Sequence, residues 1–175
     1  MVLLKKTAGY AALAVAVAIV VAFIMPSYRQ GEASMAGKTA QDFAIQLDGK
    51  PAHLSDLKGK VVVLNFWATW CPPCVEETPA LNSLQQRIGS RGGVVLGISV
   101  DEDQAAYQKF LQDQHVVFST YRDETKKSAM VYGTKMYPET YIIDRRGKIA
   151  RKVIGPQQWD SPQMLAYFDA ILGQN

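Results

Sequence analysis

The sequence predicts a mixed-sheet α/β domain carried behind a single transmembrane helix. Three observations predict it. An uncharged apolar run stands near the N-terminus, β-branched runs then alternate with segments of helical period, and two late strand-like runs flank a tight polar turn. The 175 residues are 48% hydrophobic and 20% charged, which excludes a disordered chain. Two cysteines are too few for a disulfide-stapled mini-protein.

Thr7 to Met25 reads TAGYAALAVAVAIVVAFIM, and no charge falls between Lys6 and Arg29. As a helix the run spans roughly 28 Å, close to the hydrocarbon thickness of a bilayer. Lys5 and Lys6 place residues 1–6 in the cytoplasm and the C-terminal bulk outside it. A buried core helix is set aside because the run is apolar on every face and lies at the terminus. A cleaved signal peptide, the stronger alternative, has an apolar core of about 7–15 residues with small residues soon after it. Here Gly31-x-Ala33 and Ser34-x-Ala36 lie well beyond the run and beside Glu32, so residues 7–25 read as a retained anchor. Small and polar residues 26–37 read as a tether, and residues 38–175 as one domain. Of the net charge of +3, two positives belong to the segment ahead of the domain. The domain is left near neutral with no basic stripe, and nucleic acid is excluded as a partner.

Within the domain, Phe43–Leu47 alternates apolar and polar and meets Asp48-Gly49, a strand entering a hairpin. Ser55–Lys58 reads as a helical turn. Lys60–Trp67 is nearly continuous and β-branched, as in a strand buried on both faces. Pro72–Ile88 takes the helical period, with Leu81, Leu84 and Ile88 on one side and Gly89 and Gly92-Gly93 as stops. Gly93–Val100 is a second buried strand. Asp103–Gln114 reads as a helix packed through Ala106, Phe110 and Leu111, Val116–Phe118 as a short strand, and Thr125–Tyr132 as a short helix ended by Gly133. Glu139–Asp144 and Ile149–Gly155 form a hairpin around Arg145-Arg146-Gly147-Lys148. Ser161–Leu172 closes as a helix with Ser161 as N-cap and Pro162 at its first position.

The chemistry concentrates in Trp70-Cys71-Pro72-Pro73-Cys74, where a buried strand ends and a helix begins. Unpaired first-turn amides and the positive end of the helix dipole stabilise an anion there, and a Cys71 thiolate is such an anion. Cys74, a turn away, lies within disulfide reach. Cys71 can then attack a substrate disulfide and Cys74 can resolve the mixed disulfide. Zinc would need further ligands, and His53 and His115 stand far apart in sequence without finger-like spacing, so no metal is expected; copper fails on the same ground. A purely structural disulfide across so short a loop would stabilise little. Pro72 and Pro73 have no N–H, leaving the Cys74 amide as the nearest backbone donor to the Cys71 sulfur. Cys71 is therefore expected to be only moderately acidic, which favours the protein's own disulfide and a reducing role.

Asn65-Phe66-Trp67-Ala68-Thr69-Trp70-Cys71-Pro72-Pro73-Cys74 resembles the active-site segment of the thioredoxin superfamily. With the N-terminal anchor, Gly59–Trp67, Cys71–Pro79 and Tyr137–Asp144, the chain is similar to the TlpA, ResA and CcmG group of membrane-anchored thioredoxin-like proteins over residues 38–175. The resemblance implies a thioredoxin fold preceded by an N-terminal β hairpin. It also implies a redox-active Cys71–Cys74 disulfide, a cis peptide before Pro138 that offers backbone pairing to a bound peptide, and no cofactor. Pro138 could instead simply open a strand in the trans form. Pro79 matches a kinking proline, or else ends a short first helix. Glu77 matches an acidic residue near the dithiol and is a candidate proton acceptor, or else a first-turn glutamate complementing the dipole. Glu139 matches the Pro-Glu-Thr of CcmG-type proteins and is a candidate substrate contact, or else an exposed strand-end charge. Trp70 and Trp67 are candidate walls of the site, Trp67 being equally suited to the core. Asn65 stands where many thioredoxins carry a buried acid, and it cannot move a proton.

The resemblance implies an extracytoplasmic thiol–disulfide oxidoreductase on the bacterial cytoplasmic membrane. Its clients would be disulfide-bearing proteins such as apocytochrome c, and its electrons would come from a membrane reductase of CcdA or DsbD type. A disulfide-donating oxidase and a non-redox peptide- or copper-binding chaperone are the alternatives. A peroxide-reducing role is weaker, since Ala68 stands where a peroxiredoxin-type Thr-x-x-Cys needs threonine.

Overall fold

The computed structural model describes residues 35–47 and 49–174, together with Val15. The N-terminal segment 1–6, the apolar run apart from Val15, and residues 26–34 of the tether lie outside them. Among the described residues no helix is long and apolar enough to cross a membrane.

Strands β1 (Ala44–Leu47) and β2 (Lys50–His53) form an antiparallel hairpin that stands as its own two-stranded sheet. Gly49, at φ 75°, takes the left-handed conformation that the tight turn requires. Ile45 is the one fully buried residue of β1, and Leu54 and Leu57 in the following 3-10 turn (Leu54–Leu57) carry the core beneath the hairpin.

The main sheet holds β3 (Val61–Trp67), β4 (Gly93–Ser99), β5 (Ser119–Arg122), β6 (Glu139–Ile143) and β7 (Ile149–Ile154) in the order β5-β4-β3-β6-β7. The pairs β3–β4 and β4–β5 are parallel, whereas β6 runs antiparallel to both β3 and β7. Helices α1 (Pro72–Ile88), α2 (Gln104–Asp113), α3 (Lys127–Tyr132) and α4 (Pro162–Leu172) complete a thioredoxin-like α/β fold. Every residue of β3 is buried, because both faces of the sheet are covered. Val61 and Val63 pack with Leu81, Leu84 and Ile88 of α1 and with Met164 and Phe168 of α4. Val62, Leu64 and Phe66 point the other way, into a core shared with Tyr107 and Phe110 of α2, Tyr132 of α3 and the hairpin.

Helix α1 continues through Pro79 to Ile88, so Pro79 does not end it. On α2 the buried residues are Tyr107 and Phe110, while Ala106 and Leu111 are only half-buried. One expectation is corrected outright. Val116–Phe118 is not a strand, and the pairing with β4 begins at Ser119, opposite Leu96. The Asn82 side chain accounts for this. It donates to the carbonyls of Gln114 and His115 just ahead of the segment and accepts from the Val117 amide, while the Val116 amide donates to the Leu111 carbonyl, so two of the N–H groups a strand would have used are already paired. The true edge strand, Ser-Thr-Tyr-Arg, is half-buried throughout, and polar residues suit such an edge.

Candidate active site

Strand β3 delivers Trp67-Ala68-Thr69-Trp70 to the start of α1, where Cys71 is the N-cap and Pro72 and Pro73 occupy the first turn. Cys71 and Cys74 are joined, with Cα atoms 5.3 Å apart. Both are buried, at 5% and 2% exposure. The backbone donors around them are spent elsewhere. The Cys71 amide donates to the Ala68 carbonyl at 3.3 Å. The amides of Cys74 and Val75 both donate to the Cys71 carbonyl, at 3.0 and 3.2 Å. In this disulfide form the Cys74 amide, the nearest backbone donor expected for the Cys71 sulfur, closes the helix turn. With two prolines adding no donor, Cys71 sits at a helix N-terminus poor in free N–H groups.

Trp70 is 62% exposed and meets the Tyr137 ring edge-on, with centroids 6.0 Å apart. The contact brings the loop carrying the cis Tyr137–Pro138 bond beside the loop carrying Cys71. Met136, also exposed, extends the same apolar rim. Trp67 does not join it. Its ring packs at 4.7 Å from Phe110 and 6.0 Å from Tyr107, inside the core.

The two candidate carboxylates lie on opposite faces of the sheet. Glu77 is buried on the α1–α4 side and accepts from Asn65 Nδ2 at 2.9 Å, the Gln157 amide at 3.1 Å and Trp159 Nε1 at 3.0 Å. Burial pushes its pKa up, and these three donors only partly oppose the rise. It is therefore not an exposed first-turn charge. Asn65 Nδ2 also donates to Thr140 Oγ1, its cross-strand neighbour on β6. The asparagine thus links the strand beneath the dithiol to the carboxylate. Glu139 is buried on the other face. It accepts from Tyr141 Oη at 2.5 Å and Thr134 Oγ1 at 2.8 Å and pairs with Lys152 at 3.0 Å. An exposed strand-end charge does not describe it, because it is 3% exposed and its Oε1 takes all three internal partners.

Two residues of this region escaped the sequence reading. Trp159 reaches Glu77 from the loop before α4, a contact no local pattern signals. Asp101, 2% exposed, receives the Thr69 amide and hydroxyl and the Ser99 hydroxyl. Its signal was its position. An acid immediately after a buried strand, at the carboxyl end of a parallel sheet, lies where α/β proteins assemble their sites. Among the described residues no group of three or more His, Cys, Asp or Glu could hold a metal ion.

A buried cysteine pair at the junction of a central strand and its helix, beside a cis-proline loop, defines a thioredoxin-like dithiol protein. Residues 36–152 match the AhpC/TSA family, and the chain belongs to it. Thiol-disulfide oxidoreductase ResA of Bacillus anthracis is 37% identical over 122 residues, covering 69% of this chain and 70% of the relative. ResA of Bacillus subtilis (strain 168) is 34% identical over 120 residues, covering 68% and 67%. A crystal structure of a Chlorobium tepidum protein assigned as thiol:disulfide interchange protein DsbE superposes with a TM-score of 0.73 at 32% identity, covering 79% of this chain and 98% of that one. The protein is thus a thiol-disulfide oxidoreductase of the ResA and DsbE type.

Proposed function

We propose that the protein works as a reductant of disulfides in client proteins on the extracytoplasmic side of a bacterial cytoplasmic membrane, held there by residues 7–25. The observation that carries the reducing direction is the scarcity of donors around Cys71. A thiolate that receives few hydrogen bonds is a costly product of reduction, so the Cys71–Cys74 disulfide is the favoured state. The Cys71 thiolate attacks a client disulfide, forming a mixed disulfide and releasing one client thiolate. Cys74 then loses its proton, attacks the Cys71 sulfur and releases the second client thiolate. Two electrons pass to the client, and the dithiol becomes the disulfide. Glu77, held next to this helix turn by Asn65, Gln157 and Trp159, accepts the Cys74 proton through water. The exposed rim of Trp70, Met136 and Tyr137, with the Pro138 loop, receives the client segment.

Resemblance to ResA supports apocytochrome c as the client, with its two haem-binding cysteines as the disulfide. A membrane thiol reductase of CcdA or DsbD type returns the electrons. The deciding experiment is Cys74→Ala, which leaves Cys71 unable to be resolved and accumulates the mixed disulfide for identification of the partner. Titration of the Cys71 thiolate by ultraviolet absorbance tests the direction. A midpoint well below neutrality would replace the reductant with an oxidant.

A further inference from the structure

Asp101 takes no direct part in the exchange, yet it is a buried acid tied to the Cys71 loop. Thr69, two residues before Cys71, donates its amide to both Asp101 oxygens, at 3.1 and 3.0 Å, and its hydroxyl at 2.6 Å. Ser99 donates its hydroxyl at 2.6 Å, and the Asp101 amide returns a bond to the Ser99 oxygen at 3.1 Å. Arg122, the nearest guanidinium, donates to the carbonyl of Asp101 at 3.3 Å and forms its ion pair with Glu124. Among the described residues the Asp101 carboxylate has no ion-pair partner, and its oxygens are met by uncharged donors.

A buried carboxylate that takes both donors of Thr69 fixes the hydrogen bonding of the loop beside Cys71 as well as its shape. We propose that Asp101 is a positioning residue for the exchange reaction. It captures both donors of Thr69, turning them away from the Cys71 sulfur, and it is a fixed negative charge behind the loop that keeps the reduced form unfavourable. The two effects act in the same direction as the prolines and the spent amides, and the inference rests on Cys71 being the attacking thiol.

The experiment is equilibration of the full chain in detergent against glutathione, with ultraviolet titration of the Cys71 thiolate, for the parent protein and for Asp101→Asn and Thr69→Val. Asp101→Asn removes the charge and keeps the shape. It is expected to shift the equilibrium constant about tenfold toward the dithiol, equivalent to a potential about 30 mV higher, and to lower the thiolate midpoint. Thr69→Val removes one of the two hydroxyl donors to the carboxylate and leaves its charge less balanced. It is expected to shift the constant about twofold in the opposite direction. A purely structural role would loosen the loop in both variants and move both the same way. Shifts of equal sign, or shifts within error of zero, overturn the proposal. If Asp101→Asn does not fold, the sign of the Thr69→Val shift decides alone. The parent protein's potential tests the reducing assignment separately, since the role of Asp101 is read only from differences.

Discussion

Glu77 and Glu139 carry the same functional group within one domain, and their neighbours give them different chemistry. Glu77 has only uncharged donors, so burial dominates and its pKa rises from an ordinary value near 4.5. Below that value the folded and unfolded chains are both protonated there, and the group's contribution to stability is fully present. As pH climbs through the ordinary value and then the raised one, the unfolded chain ionises first and the fold loses that contribution. Glu77→Gln cannot ionise, so its melting temperature should gain on the parent protein's as pH rises through this window and hold level beyond it. A constant offset would contradict the assignment. In rapid-mixing assays the same variant should slow resolution of the mixed disulfide by about 100-fold, the low end for lost general-base catalysis. Glu139, in contrast, is one half of a buried ion pair. Lys152→Met would strand its carboxylate and cost about 3–5 kcal/mol in denaturant unfolding. The exchange rate per folded molecule should stay unchanged; a large loss would restore Glu139 to the reacting machinery.

At the scale of elements, α1 does two tasks. Its first turn presents the dithiol, and its flank clamps the chain that leads into β5. Asn82 makes three hydrogen bonds to the segment 114–117, where His115 takes a positive φ of 47°. Asn82→Ala removes these bonds, two of them at the surface where water replaces them, at a cost of about 0.5–1.5 kcal/mol. Hydrogen exchange should speed at Val117, while the amides of β3, buried at the centre of the sheet, should lose only what the global stability loses. Most of these elements were legible beforehand. β3 and β4 are β-branched because both faces are covered, α1 begins on Cys-Pro-Pro, and α3 ends at Gly133 in the left-handed conformation. The edge strand was not legible, since Val116–Phe118 has the more strand-like composition. A side chain from a distant helix holds it out of the ladder.

At the scale of the molecule, the direction of electron flow is a stability statement. A donor-poor Cys71 makes the dithiol form the less stable one, so the disulfide form should unfold at the higher temperature in calorimetry. The reverse order would mark an oxidant, whose reduced form is the stabilised one.

Sequence alone determined the strand–Cys-Pro-Pro-Cys–helix junction, the α/β class and the apolar run ahead of the domain. These depend on local periodicity, on residue geometry and on proline's missing N–H. It also singled out Glu77 and Glu139, but it could not tell their environments apart. Only the tertiary structure decided those, because a carboxylate's chemistry follows from what surrounds it. Glu77 meets Asn65, Gln157 and Trp159, Glu139 meets Tyr141, Thr134 and Lys152, and Asp101 meets Thr69 and Ser99. Most of these partners are distant in the chain and are brought together by sheet register and helix packing, which no local pattern encodes.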